Sequence, residues 1–110
     1  VEPGETFHAA VIREIREETG LTIRNPQLKG IYHWYRDGFH NVGLLYRTDD
    51  FSGELKSSEE GKVYWISRKE YEKKELAVGM HRVLKIMDSD DFSECFMDVK
   101  EDGTIEEHMY

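Results

Sequence analysis

The sequence predicts an α/β sandwich built on a mixed sheet, and three features of its pattern support this. Apolar residues recur at helical spacing in two stretches, from about Ala9 to Thr19 and from Leu76 to Met87. Two pairs of strand-like runs flank glycine-containing turns: Leu28–Tyr35 with Asn41–Arg47, and Phe92–Val99 with Thr104–Tyr110. Helical and strand patterns alternate along 110 residues with no repeat, linker or low-complexity tract between them. One domain spanning residues 1–110 is therefore expected.

The elements follow in order. Pro3-Gly4 is turn chemistry, and Thr6 can cap the first helix although Ala9 does not complete a capping box. Gly20 suits the left-handed position that ends a helix. Leu21–Arg24 reads as a short extended piece stopped by Asn25-Pro26. Arg36-Asp37-Gly38 links the first strand pair. The run Val42-Gly43-Leu44-Leu45-Tyr46 is apolar on both faces and suits a central strand. Thr48–Lys62 is polar and reads as a long loop. Val63–Ile66 reads as a further strand. Ser67-Arg68-Lys69-Glu70 matches a capping box. The second amphipathic helix ends at Asp88-Ser89-Asp90-Asp91, before the final hairpin around Asp102-Gly103.

Composition narrows the function. The formal net charge is -8, from 23 acids, 15 Lys and Arg, and neutral His. That balance argues against a nucleic-acid polymer as partner, since phosphate backbones are met by basic patches. A free nucleotide stays compatible, because a metal can carry the positive charge. No apolar run reaches membrane-spanning length and no signal peptide is visible, which suits a cytoplasmic protein without membrane contact. Cys95 is alone, so no internal disulfide forms and a reducing compartment fits. It reads as a small strand residue rather than a nucleophile. His33, His40, His81 and His108 lie at no ligand spacing, and His8 falls in the first turn of the first helix.

The chemistry concentrates near the start of the chain. On a helix, Glu14, Glu17 and Glu18 fall in one arc, because spacings of three and four stack on one face. Val11, Ile12 and Ile15 fill the adjoining arc. The acids thus stand at the edge of the apolar face, whereas a solvated helix would place them opposite it. Their mutual repulsion costs a few tenths of a kcal/mol per pair, which hard divalent cations with oxygen ligands would remove.

Glu5, Arg13, Glu14, Ile15, Glu17, Glu18, Gly20 and Leu21 resemble the Nudix box at eight fixed positions. The opening glycine of that pattern would lie before Val1. The resemblance implies the Nudix α/β/α sandwich, including strands ahead of the box that this chain does not contain. It also implies hydrolysis of a nucleoside diphosphate linked to another group, assisted by Mg²⁺ or Mn²⁺. By the same resemblance Glu17 and Glu18 are metal ligands, Glu14 is a ligand or the general base, and Arg13 paired with Glu5 orients Glu14. A further acid from a loop outside the box often joins such sites; Glu60 is the choice here, with Glu59 in reserve. Both also read as ordinary loop charge. Tyr32 and Trp34 could stack on a base, although strand aromatics commonly serve packing.

The substrate expected is a small nucleotide, foremost a triphosphate such as 8-oxo-dGTP, with ADP-ribose or a nucleotide sugar as the alternative. A non-catalytic nucleotide-binding or interaction module is the competing class; three retained, mutually repelling acids speak against it. Either a monomer or a homodimer is compatible.

Overall fold

The computed structural model describes every residue except Ser58, Glu60 and residues 74–79; the side chains of Glu72, Met80 and His81 also lie outside the description. In chain order the elements are α1 (Phe7–Thr19), β1 (Thr22–Arg24), β2 (Gln27–Arg36), β3 (Phe39–Arg47), β4 (Asp50–Ser52), α2 (Arg68–Lys73), α3 (Met80–Asp88), β5 (Glu94–Val99) and β6 (Ile105–Met109). They fall into two compact units, Val1–Gln27 with Arg47–Lys73, and Leu28–Tyr46 with Lys74–Tyr110. No helix among the described residues is long and apolar enough to cross a membrane.

In the first unit, α1 begins where Thr6 leaves the helical backbone and its hydroxyl accepts the Ala9 amide at 3.0 Å. It ends at Gly20, whose φ of 81° is left-handed and whose amide donates to the Arg16 carbonyl at 3.0 Å. A side chain at position 20 would also meet the Glu54 carbonyl, since an added Cβ would sit 2.8 Å from it. The chain beyond the helix is tied back by the Lys56 amide, which donates to the Thr19 carbonyl at 2.7 Å. Ala10, Leu21 and Ile23 are the buried hydrophobic side chains here. β1 pairs antiparallel with β4, Ile23 opposite Phe51. The Arg24 guanidinium holds Asp50 at 2.9 Å and the Ser52 hydroxyl at 3.0 Å. The Ser67 hydroxyl accepts the Glu70 amide at 3.2 Å and caps α2.

Two expectations fail in this unit. Residues 50–52 are a strand, not loop. Three residues are too few to show alternation, so their pairing with β1 is decided by tertiary contact. Val63–Ile66 is not a strand. Tyr64 and Trp65 are exposed, and the Trp65 ring packs 5.1 Å from that of Phe51. Strand propensity is realised only where a neighbouring strand completes the ladder.

The second unit is a mixed sheet in the order β3-β2-β5-β6. β2 runs parallel to β5, with Tyr32 opposite Cys95 and Trp34 opposite Met97. β5 and β6 are antiparallel, with Cys95 opposite Met109. Asp37 and Gly38 both take positive φ, 51° and 82°, as the two-residue turn between β2 and β3 requires. At the other hairpin Asp102 accepts the Thr104 amide at 2.9 Å. Ile86, Cys95 and Met97 form the core, with Tyr32, Trp34, Leu45, Phe92, Ile105 and Met109 packed around it. Gly30 permits the close approach beneath: an added Cβ would lie 2.6 Å from both the Ser93 carbonyl and Ile86 Cγ2. β3 stands at the edge of this sheet rather than at its centre, and Phe39 and Val42 are exposed. The doubly apolar run therefore did not mark a central strand; β2 and β5 occupy the centre.

Candidate active site

The helical spacing carries Glu14, Glu17 and Glu18 onto one flank of α1, as their positions require. The Glu14 and Glu17 side chains are 46% and 61% exposed, and Glu18 is also exposed. Arg13 organises the flank. Its Nε donates to Glu5 Oε2 at 2.8 Å and its Nη2 to Glu5 Oε1 at 2.9 Å, a bidentate fork. Its Nη1 donates to Glu17 Oε2 at 3.1 Å, and Nη2 lies 3.7 Å from Glu14 Oε1. The Glu2 amide adds a 3.0 Å hydrogen bond to Glu5. With the Arg13 guanidinium first and that amide second, the Glu5 carboxyl is held down to about 2. One arginine thus touches three of the four acids and joins the loop before α1 to the acid flank.

Glu14, Glu17 and Glu18 offer only carboxylate oxygens, the donor set of a hard divalent ion, so their chemistry fits such an ion. Among the described residues no three His, Cys, Asp or Glu side chains already converge as a metal cage. The acids turn instead toward the available cations: Glu17 and Glu14 toward Arg13, with Glu14 also 3.6 Å from the Val1 amino group. Side chains this exposed reorient in picoseconds to nanoseconds, so the flank can be redirected by a stronger cation.

The remaining expected residues divide. Glu60 lies outside the described residues, and Glu59 is an exposed loop residue. Tyr32 and Trp34 belong to the second unit, where they share one face of β2, lie tilted to each other with ring centroids 5.1 Å apart, and pack on the Ile86-Cys95-Met97 core. Burial pushes the Tyr32 hydroxyl above its ordinary value. Cys95 is fully buried, and burial likewise pushes its thiol up, which disfavours the thiolate and suits a packing role. His33 and His40, which share no ligand spacing in the sequence, meet edge to edge with ring nitrogens 2.8 Å apart. The turn at Asp37-Gly38 was the one sequence signal that could have brought them together.

A box of this composition on a capped helix, beside a mixed α/β fold, defines a Nudix protein. The NUDIX domain family matches residues 1–86, and the chain belongs to that family. Among individual proteins, it is 38% identical over 93 residues to the uncharacterized Nudix hydrolase YvcI of Bacillus subtilis, covering 79% of this chain and 59% of that protein. It is 42% identical over 64 residues to an ADP-ribose pyrophosphatase of Methanocaldococcus jannaschii, covering 56% of this chain and 38% of that one. It is 44% identical over 69 residues to the NAD-capped RNA hydrolase NudC of Haemophilus influenzae, covering 61% of this chain and 25% of NudC. The crystal structure of the mutator MutT protein from Bacillus halodurans superposes with a TM-score of 0.84 at 28% identity, over 99% of this chain and 76% of that one. The chain thus spans from a quarter to about six tenths of these three curated relatives. Nudix hydrolases generally use divalent metal ions.

Proposed function

We propose that this chain hydrolyses a nucleoside diphosphate linked to another group, and that its substrate is a nucleoside triphosphate of the 8-oxo-dGTP type. The observation that carries this reading is the exposed flank of Glu14, Glu17 and Glu18, with Arg13 locked to Glu5, inside the region that matches the family.

In this reading Glu17 and Glu18 hold Mg²⁺ or Mn²⁺, and Glu14 either joins them or accepts the proton of the attacking water on its carboxylate. The bound ion would polarise a phosphoryl oxygen and offset the charge of the phosphates. Arg13 and Glu5 keep the start of α1 fixed against the acid flank, so that the ligands need not be repositioned during reaction. Glu60, or Glu59 in its place, supplies a further acid from the loop. Tyr32 and Trp34, which the sequence offers as base-stacking candidates, pack around the core of the second unit and have no part in this reading. The partner is a small nucleotide rather than a nucleic-acid polymer, the protein works in the cytoplasm, and it acts as a monomer or homodimer.

ADP-ribose is the second substrate reading. It is favoured by the identity to a protein named as an ADP-ribose pyrophosphatase. A panel of 8-oxo-dGTP, ordinary triphosphates, ADP-ribose, nucleotide sugars and an NAD-capped RNA, each with and without Mg²⁺, tests both. Pyrophosphate and monophosphate from a triphosphate are expected. AMP with ribose phosphate as the principal products would move the substrate to ADP-ribose. Preferred cleavage of the capped RNA would overturn the small-molecule assignment. No metal-dependent product from any of them would leave the non-catalytic binding module.

A further inference from the structure

The second unit carries a group of side chains that the acid helix does not explain. Successive residues of a strand face opposite sides, so the face of β5 away from Cys95 and Met97 carries Glu94, Phe96 and Asp98. His33 is the register partner of Phe96, and Phe96 of His108, which aligns three rings across three strands. On this row His40 meets His33 edge to edge, ring centroids 5.1 Å apart and planes within 3°. Nδ1 of His33 and Nε2 of His40 are 2.8 Å apart. The other nitrogen of His33, Nε2, meets Glu94 Oε2 at 2.7 Å. Phe96 lies 4.7 Å from the His33 ring and 5.8 Å from that of His40, as an apolar floor.

The contact to Glu94 decides the chemistry. A carboxylate can only accept, so it fixes a proton on His33 Nε2 and leaves the Nδ1 lone pair aimed at His40. A histidine held by a carboxylate at one nitrogen, with the other directed at a second imidazole, has the outer support typical of a metal-binding histidine. We infer that His33 and His40 form a two-imidazole site for a late first-row transition ion such as Zn²⁺, Ni²⁺ or Cu²⁺, positioned by Glu94.

Neutral imidazole suits these ions, whereas the all-carboxylate flank of α1 suits hard cations, so the two sites select different metals. Two nitrogens each about 2.0–2.1 Å from a tetrahedral ion stand roughly 3.4 Å apart, so the facing nitrogens part by about 0.6 Å and each ring turns by roughly 35° to aim its lone pair at the ion. His40 is exposed on β3, the sheet edge, where such a shift meets little packing. The hydrogen shared between the facing nitrogens moves to His40 Nδ1, which leaves both ligand atoms as lone pairs. Among the described residues no third His, Cys, Asp or Glu completes the group, so water fills the remaining positions.

The test titrates the whole chain with Zn²⁺ in excess Mg²⁺, which occupies the carboxylate flank, and follows the imidazole nitrogens by ¹⁵N NMR. One equivalent should shift His33 Nδ1 and His40 Nε2 and leave His108 and His8 in place. His40→Gln and His33→Gln should each weaken binding at least tenfold. Glu94→Gln should weaken it about tenfold through loss of the supporting hydrogen bond. Glu17→Gln, on the other unit, should bind Zn²⁺ as the parent does. Unshifted His33 and His40 resonances in the parent, or parent-like affinity in a folded His40→Gln, would overturn the site.

Discussion

The two units are held together by different means. In the first, α1 buries one side chain, Ala10, and its order comes from a threonine cap, a glycine stop and the fork between Arg13 and Glu5. In the second, Ile86, Cys95 and Met97 are removed from water and six further apolar side chains close around them. Local hydrogen bonds can fix the direction of a few charged groups while leaving them open to solvent and ligands. Packing fixes a sheet, at the cost of accessibility. The acid flank to which we assign the chemistry lies on the locally tied helix, and the largest buried cluster among the described residues lies in the other unit. Loss of activity and loss of stability should therefore be separable by mutation.

The largest expected effect is on turnover. Glu17→Gln keeps size and helix propensity but removes a ligand charge, and should lower Mg²⁺-dependent hydrolysis by about 100-fold or more. Its metal-free stability should change by no more than about 0.5 kcal/mol, since the exposed pair with Arg13 that is lost is offset by the relief of repulsion among the acids. Equal activity in parent and variant would remove the catalytic reading of α1 and with it the contrast between the units.

Ile86→Ala should do the reverse. Deleting a fully buried aliphatic chain costs about 2–5 kcal/mol, readable by urea denaturation, while turnover of the protein that remains folded should stay close to the parent's. A cost below about 1 kcal/mol would mean that the second unit is not the packed one.

Thr6→Ala probes the local ties directly. Losing the cap should cost about 1 kcal/mol, and a helix that depends on its caps should show it in the amide exchange of Ala9 and its neighbours. Exchange unchanged at Ala9 would place the order of α1 elsewhere.

The smallest effect is a pH dependence. The Glu5 carboxyl falls from an ordinary 4.5 to about 2 in the folded chain, chiefly through Arg13. A depressed acid stabilises the fold fully above its unfolded value and loses that contribution as pH falls from about 4.5 toward 2. Glu5→Gln should therefore melt below the parent at pH 7, and the gap should close on acidification. A gap of constant width would separate Glu5 from the acid sensitivity of this unit.

Much of this was legible because it is local. Thr6, Gly20, Asp37-Gly38, Ser67 and Asp102-Gly103 act on neighbours within four residues, so their roles follow from residue type and spacing. The Arg13–Glu5 pair also followed, since the box prescribes its spacing of eight. The strand at 50–52 was hidden because three residues carry no period. Val63–Ile66 misled for the opposite reason, having the right composition without a strand to pair with.

By itself the sequence determined the helix that bears the acids, its two ends, the flank on which Glu14, Glu17 and Glu18 stand, the hairpin turns and the family. These depend on caps, helical periodicity and left-handed backbone positions, all short-range. Only the tertiary structure decided that β2 lies parallel to β5, that β3 takes an edge, and that His33 meets both His40 and Glu94, which is 61 residues away. Nothing local ranks one parallel partner above another. That choice is made by which faces bury Ile86, Cys95 and Met97 together, and it is this burial that carries Glu94 to His33 on the opposite face.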